Sequence, residues 1–309
     1  MRYVALGDLV VDRIYQKNGQ EINLVKVDGG SSRFNVIANL AARNNNTYVI
    51  SACGKDIMGK IALNSLERLN VDTSDVIIKP DIQTRAYHLI IQGNYHKSTK
   101  ICPICGTKTW YKDPIVTKEY CKSLLKKDDV LILDGLKPEN IPIITEFLNE
   151  KVIDIGRIKR LENLSNQEIL NILNNRNIQI MQLNETVEKY LIKRFKINDI
   201  LDVYNILNPN LLIVTRGRNG AEFAIKNRVI TKTLKTYKRE IDDTGAGDAF
   251  FSMFIQCYYD NRKNVTREWL DTSFDLANEL TAKVVSHLGA RGHLYDDYYL
   301  RYINKCICK

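Results

Sequence analysis

The residues best suited to chemistry form one run, Asp242-Asp243-Thr244-Gly245-Ala246-Gly247-Asp248-Ala249-Phe250. The Gly-Ala-Gly step tolerates close backbone approach and dihedrals that other residues resist. Ala249, Phe250, Phe251, Met253, Phe254 and Ile255 follow, an apolar run that predicts a buried helix starting near Gly245. A glycine turn feeding a helix N-terminus leaves backbone N–H groups and the positive dipole end directed outward, which favours an anion. Asp248 stands at the mouth of that nest. A carboxylate there repels a resting phosphate, but it suits a base that takes the proton from a hydroxyl attacking phosphorus. The chemistry expected is phosphoryl transfer, with Gly245, Ala246 and Gly247 as the anion hole and Asp248 as the general base. The plainer alternative is a turn capping a core helix, with Asp248 a surface carboxylate.

A second feature is Cys102-Pro103-Ile104-Cys105-Gly106. Such a knuckle points two thiolates and several N–H groups at one metal, and a closed zinc site needs four ligands. Cys102 and Cys105 are therefore half of a candidate zinc site. Cys306, Cys308, His96, His88, Cys121 or a partner chain's knuckle would complete it. A reversible dithiol, or two ordinary cysteines in an exposed loop, are the other readings.

The elements that must position these groups follow from periodicity. Residues 3–7 read as a strand ending at Gly7, with Asp12 five residues on. Ile22–Val27 alternates as a strand of a small sheet. Gly29-Gly30 permits a tight turn, and Ser31, Ser32 and Asn35 supply a helix start. A strand at 47–52 leads through Gly54, Asp56 and Gly59 into an amphipathic helix. Thr84–Ile91 is another strand, expected as the second lid segment, in which Arg85 either touches substrate or is simply solvated. Strands at 130–134, 151–155, 178–183 and 211–215 alternate with helices, one opened by the capping box Ser165/Glu168. This rhythm implies a parallel sheet covered by helices. Strands are expected at 221–225 and 228–234, long helices after Gly247 and over 266–288, and a short helix in 295–309.

The full string DTGAGDAF resembles the signature of the ribokinase-like (PfkB) carbohydrate kinase family, and further matches run in the family's order along nearly the whole chain. The resemblance implies an α/β fold, a Rossmann-like three-layer sandwich in a single domain over 1–309. A small β-sheet lid would be formed by about 10–28 and 84–112, with the Cys knuckle as an insertion. It implies that Asp12, Gly30 and Asn35 hold the acceptor, and that Asn184, Thr215, Gly217 and Asn278 hold the nucleotide. ATP and Mg2+ are the implied cofactors. Asp242, with Gly289, is a candidate for framing a monovalent cation, and the knuckle for a structural Zn2+. The sequence departs from the family in three places, the first being Val10, where many members carry a polar residue. One extra residue precedes Asn35, and the Glu of the family's Asn-x-x-Glu is replaced by Val187, flanked by Glu185 and Glu188. The implied activity is transfer of the γ-phosphoryl group to a sugar or sugar-like hydroxyl. A nucleoside kinase of the same fold, or a non-catalytic zinc-bearing ligand sensor, are the alternatives.

Composition agrees. With 309 residues, 44% hydrophobic, the chain holds enough for a substantial core. Net charge is +9, but the cations are scattered and do not alternate with aromatics, which suits an anionic metabolite and gives no sign of nucleic-acid binding. No apolar run approaches the roughly 20 residues needed to span a bilayer. The N-terminus is acidic too early for a signal peptide, so a cytoplasmic protein without a membrane partner is expected. Seven cysteines, an odd number, argue against a disulfide framework. By resemblance, the lid is where a homodimer would form.

Overall fold

Apolar runs such as Val130-Leu131-Ile132-Leu133 and Leu211-Leu212-Ile213-Val214 are buried along their whole length, as strands covered on both faces must be. The computed structural model describes residues 1–92, 95–110, 116–226, 228–234 and 240–295, with Cys306 and Cys308. Most of the short helix expected in 295–309, and residues 111 and 112 of the second lid segment, lie outside the described residues. Two compact units are formed. The first comprises Met1–Val4, Thr117–Tyr237 and Met253–Asn278, and the second Ala5–Val116, Lys238–Ser252 and Glu279–Lys309.

In the first unit the strands lie in the order Arg228–Lys232, Ala221–Ile225, Leu211–Thr215, Ile178–Asn184, Glu150–Ile155, Asp129–Asp134 and Arg2–Leu6. The pairs from Leu211–Thr215 to Asp129–Asp134 are parallel, while the two outer strands pair antiparallel as a hairpin. Helices Asn140–Glu146, Asn166–Leu173, Glu185–Phe195 and Ile200–Leu207 fall between the strands in sequence. Asn166–Leu173 carries the expected capping box. The register sets Asn184 beside Thr215 and Asp154 beside Asp134. Asn184 and Thr215 thus end neighbouring strands, and Asp134 ends another strand of the same parallel run, where open α/β sheets take their ligands.

The second unit contains a four-stranded sheet in the order Glu21–Gly29, Val10–Asn18, Arg85–Gln92, Tyr95–Thr99. Val10–Asn18 is internal, antiparallel to Glu21–Gly29 and parallel to Arg85–Gln92. Helices Ser32–Ala41 and Ile57–Glu67 also belong to it. Ser31 sits at the N-cap of the first with φ +76 and forms no side-chain capping bond. The first turn is held instead by the Asn35 N–H donating to Ser31 O at 2.9 Å. No helix among the described residues is long and apolar enough to cross a membrane.

Candidate active site

Helix Ala246–Asp260 begins one residue after Gly245, and two facts make glycine necessary at 245. Its φ is +84, and a Cβ there would lie 2.5 Å from the Ala290 Cβ. The Ala246 N–H donates to Asp243 O at 3.1 Å, and the Ala249 N–H to Gly245 O at 2.9 Å, closing the first turn. Asp242 is buried and locks the approach, accepting from the Thr244 N–H at 2.9 Å and the Gly289 N–H at 2.8 Å. Gly289 therefore does meet Asp242, through its backbone.

Asp248 lies in the first helical turn and is only 8% exposed, which removes the surface-carboxylate alternative. Its Oδ2 accepts from Asn35 Nδ2 at 2.8 Å. The other end of that amide, Oδ1, accepts from Arg291 Nε at 3.0 Å. A guanidinium can only donate, so the oxygen of Asn35 must face Arg291 and its NH2 must face Asp248. The order Arg291, Asn35, Asp248 thus fixes both the amide and the carboxylate. Arg291 also donates to Ser65 Oγ at 2.6 Å and to Gly30 O at 3.2 Å. Sequence reasoning passed over Arg291. A cation in Gly289-Ala290-Arg291-Gly292, directly after a helix, was the available signal.

The same contacts correct the reading of Gly29-Gly30. Neither glycine has positive φ, so turn geometry does not require them. A Cβ on Gly29 would meet Arg291 Nη1 at 2.1 Å, and one on Gly30 would meet the Asp12 carboxyl at 2.3 Å. The pair is glycine because a guanidinium and a carboxylate occupy the space. Asp12, Gly30, Asn35 and Asp248 are brought together in one unit.

Burial raises the Asp12 pKa to about 7; Arg291 opposes the rise, and the charges of Asp28, Asp248 and Asp242 add to it. Between the ordinary value of 3.8 and about 7, the native state keeps a proton that the unfolded chain has lost. Stability therefore falls as pH rises through that window, and this contribution is fully present only below it. Asp12→Asn should remove the slope. In urea unfolding the variant should gain on the parent by about 4 kcal/mol between pH 4 and pH 8, and parallel pH profiles would refute the assignment.

Arg85 is corrected as well. It is buried, and its Nη2 lies 3.3 Å from Asp8 Oδ2. Asp8 also accepts from the Val116 N–H at 3.2 Å. A buried carboxylate needs such a partner, so Arg85 is structural rather than solvated.

In the first unit, Asn184 caps helix Glu185–Phe195, accepting from the Val187 N–H at 2.9 Å and donating to Gly156 O at 2.9 Å. Val187 is buried in the core. Neither neighbouring acid takes the place of the family's Glu. Glu185 pairs with Lys189, and Glu188 is held by Arg216, which also pairs with Glu222. Thr215 ends its strand, and Gly217, at φ +55, has nothing within 4 Å of where its Cβ would be. The strands expected at 221–225 and 228–234 form as Ala221–Ile225 and Arg228–Lys232, paired antiparallel. Asn278 lies on helix Arg267–Val285, and its Oδ1 is buried with no hydrogen-bond partner among the described residues.

The Cys102/Cys105 knuckle lies with Cys306 and Cys308, all four thiol sulfurs within 4.8 Å of one another. His88 is not in the group. Its nitrogens are 2.9 Å from Tyr15 Oη and 2.8 Å from Thr109 Oγ1. Cys121 belongs to the first unit, and the His96 side chain lies outside the described residues.

Residues 2–296 match the family model described as pfkB family carbohydrate kinase. No curated protein matches the chain. Among solved structures, the fold is similar to that of a Methanocaldococcus jannaschii nucleoside kinase, an archaeal member of the ribokinase family, at 16% identity and TM-score 0.72 over 94% of each chain. A Burkholderia thailandensis nucleoside kinase in complex with inosine shows 14% identity and TM-score 0.73, over 97% of this chain and 96% of that one. A Vibrio cholerae fructokinase in a fructose-, ADP- and calcium-bound form shows 18% identity and TM-score 0.69, over 98% and 99%. At these identities the likeness speaks to the fold, which is ribokinase-like.

Proposed function

Because the chain belongs to the pfkB family of carbohydrate kinases, we propose that it transfers the γ-phosphoryl group of ATP to a hydroxyl of a sugar or a nucleoside. The observation that carries this reading is the buried Asp248 carboxylate, held by Asn35 in the first turn of a helix that opens on Gly245-Ala246-Gly247. A capping role alone would not need a second element to aim that carboxylate.

Asp248 takes the acceptor's hydroxyl proton as the acceptor oxygen bonds to the γ-phosphorus. The bond from that phosphorus to the β–γ bridging oxygen breaks, and ADP leaves with the electron pair. The backbone N–H groups of Gly245, Ala246 and Gly247 are the donors nearest the transferred group, where preorganised dipoles act most strongly. Ala246 would first give up its turn bond to Asp243 O. Asp12 and Asn35 orient the acceptor hydroxyls, and Gly30 leaves room for the Asp12 carboxyl.

Residues of the first unit suit the nucleotide. The buried, unpartnered Oδ1 of Asn278 fits a donor on the base or ribose. Gly217 leaves open space beside Thr215 for phosphates. The carboxylates beside Asn184 are committed to Lys189 and Arg216, so they do not fit a direct magnesium site. Magnesium would therefore come with the nucleotide rather than be held by these carboxylates, and would supply neutralisation of phosphate charge. A monovalent cation at Asp242 would share that carboxylate with two N–H donors.

Both acceptor classes fit, because Asp12 and Asn35 address hydroxyls wherever the ring comes from. The test is ATP turnover with magnesium over a panel of sugars, sugar phosphates and nucleosides. Turnover confined to one acceptor class is expected. ATP binding with no turnover on any acceptor would overturn the catalytic reading in favour of a ligand sensor.

A further inference from the structure

The four-cysteine cluster lies outside the phosphoryl-transfer machinery. Its sulfurs are not paired as disulfides, and all four cysteines are free. Cys102 Sγ and Cys306 Sγ are 3.7 Å apart, and Cys306 Sγ and Cys105 Sγ 3.3 Å. A disulfide would bring two sulfurs to about 2.05 Å. A zinc ion at about 2.3 Å from four sulfurs sets tetrahedral edges of about 3.8 Å. The Cys102–Cys306 spacing matches such an edge, the Cys306–Cys105 spacing is about 0.5 Å shorter, and all four sulfurs lie within 4.8 Å of one another, too far apart for disulfides as they stand.

Two further observations point into the cluster. The first is the backbone. Cys102 and Cys105 are brought to one side of a tight turn, where the Cys105 thiol donates to Thr107 Oγ1 at 3.2 Å. Gly106, at φ +73, makes this turn possible, and the loop is closed by the Gly106 N–H to Cys102 O and the Cys102 N–H to Thr107 O, both 2.9 Å.

The second is Arg13. Its side chain is wholly buried, Nη1 donates to Cys308 Sγ, and Nε and Nη2 have no hydrogen-bond partner among the described residues. A buried cation without a counter-charge is costly. Four neutral thiols provide none. Four thiolates around a divalent ion carry a net charge of −2, and the guanidinium would offset half of it.

We propose that Cys102, Cys105, Cys306 and Cys308 bind one Zn2+ as a closed structural tetrathiolate site, with Arg13 as its buried counter-cation. Binding releases four thiol protons to solvent and changes no oxidation state. With four protein ligands there is no open position for a substrate, so the site is structural. It ties the C-terminal cysteines to the back of the acceptor strand. On Val10–Asn18, Asp12 addresses Gly30, whereas Arg13 reaches Cys308 and Tyr15 Oη lies 3.6 Å from Cys102 Sγ. Val11, Tyr15, Met58, Cys102 and Cys308 share one apolar cluster, and Gln83 Nε2 donates to Cys308 O at 3.2 Å. This inference is independent of the kinase reading.

The test is elemental analysis of the full chain, purified under reducing conditions without chelator. About one zinc per chain is expected. Cys105→Ser changes an exposed side chain, so the fold should persist by circular dichroism while zinc falls to background. Cys257→Ser should keep its zinc. In the parent, chelation should raise hydrogen exchange in 10–18 and 85–92. A metal-free protein with four free thiols, a disulfide joining knuckle and tail in freshly isolated protein, iron in place of zinc, or full zinc retention in Cys105→Ser would each overturn the proposal.

Discussion

Asp248→Asn is expected to lower kcat roughly 10²–10⁴-fold, the range a positioned general base contributes. ATP affinity and unfolding free energy should stay near the parental values. The substitution is isosteric, and the oxygen of the new amide can face Asn35 Nδ2, so the 2.8 Å hydrogen bond survives with only its charge assistance removed. What is lost is the capacity to accept the acceptor's proton. Removing the Asp248 charge should also let the Asp12 pKa fall, since that charge is among those raising it. The acid limb of acceptor binding should move to lower pH as the turnover disappears. Turnover kinetics, nucleotide titration and urea unfolding on the same preparation check the three parts. Near-parental kcat would sink the base assignment, and collapse of the fold would make Asp248 a structural carboxylate.

What could be read from sequence depended on how local its cause was. The helix at Ala246 follows from a glycine step and an apolar run within a dozen residues. The parallel strands follow from apolar runs needing cover on both faces, and the Ser165/Glu168 box is a four-residue pattern. Helix Ile200–Leu207, capped by Asp199, was left without an assignment despite a local signal of the same kind. The Gly29-Gly30 pair was placed correctly but explained wrongly, because its neighbours Arg291 and Asp12 are not visible from the turn. Arg291 itself acts on Asn35 across 256 positions, a distance no periodicity spans. The knuckle announced that ligands were missing without saying which, since Cys306 lies 204 residues from Cys102. Val187 looked like a lost metal-organising acid. Its burial in the core shows a position turned inward by the helix that Asn184 caps.

Arg291→Met should destabilise the protein by about 3–5 kcal/mol, the usual cost of removing one partner from a buried charged set. Three acceptors, Asn35 Oδ1, Ser65 Oγ and Gly30 O, lose their donor together, and each unsatisfied buried group carries its own desolvation cost. Arg291→Lys should recover only part of this, because one ammonium on a flexible stem cannot reproduce a planar fork. Stability alone would not distinguish a packing residue from one that positions the site. Asp12 provides the distinction. Arg291 is the cation that holds the Asp12 pKa down against burial, so its loss should drive that pKa above about 7 and leave Asp12 mostly protonated at neutral pH. A protonated carboxyl holds acceptor hydroxyls less well, so the acceptor KM should rise at pH 7 while the ATP KM holds. Raising the pH should bring the acceptor KM back toward the parental value. Simple loosening of the fold predicts the reverse, because a weakened protein gains nothing from alkali. An acceptor KM independent of pH in Arg291→Met would show that Arg291 serves the fold without tuning the site.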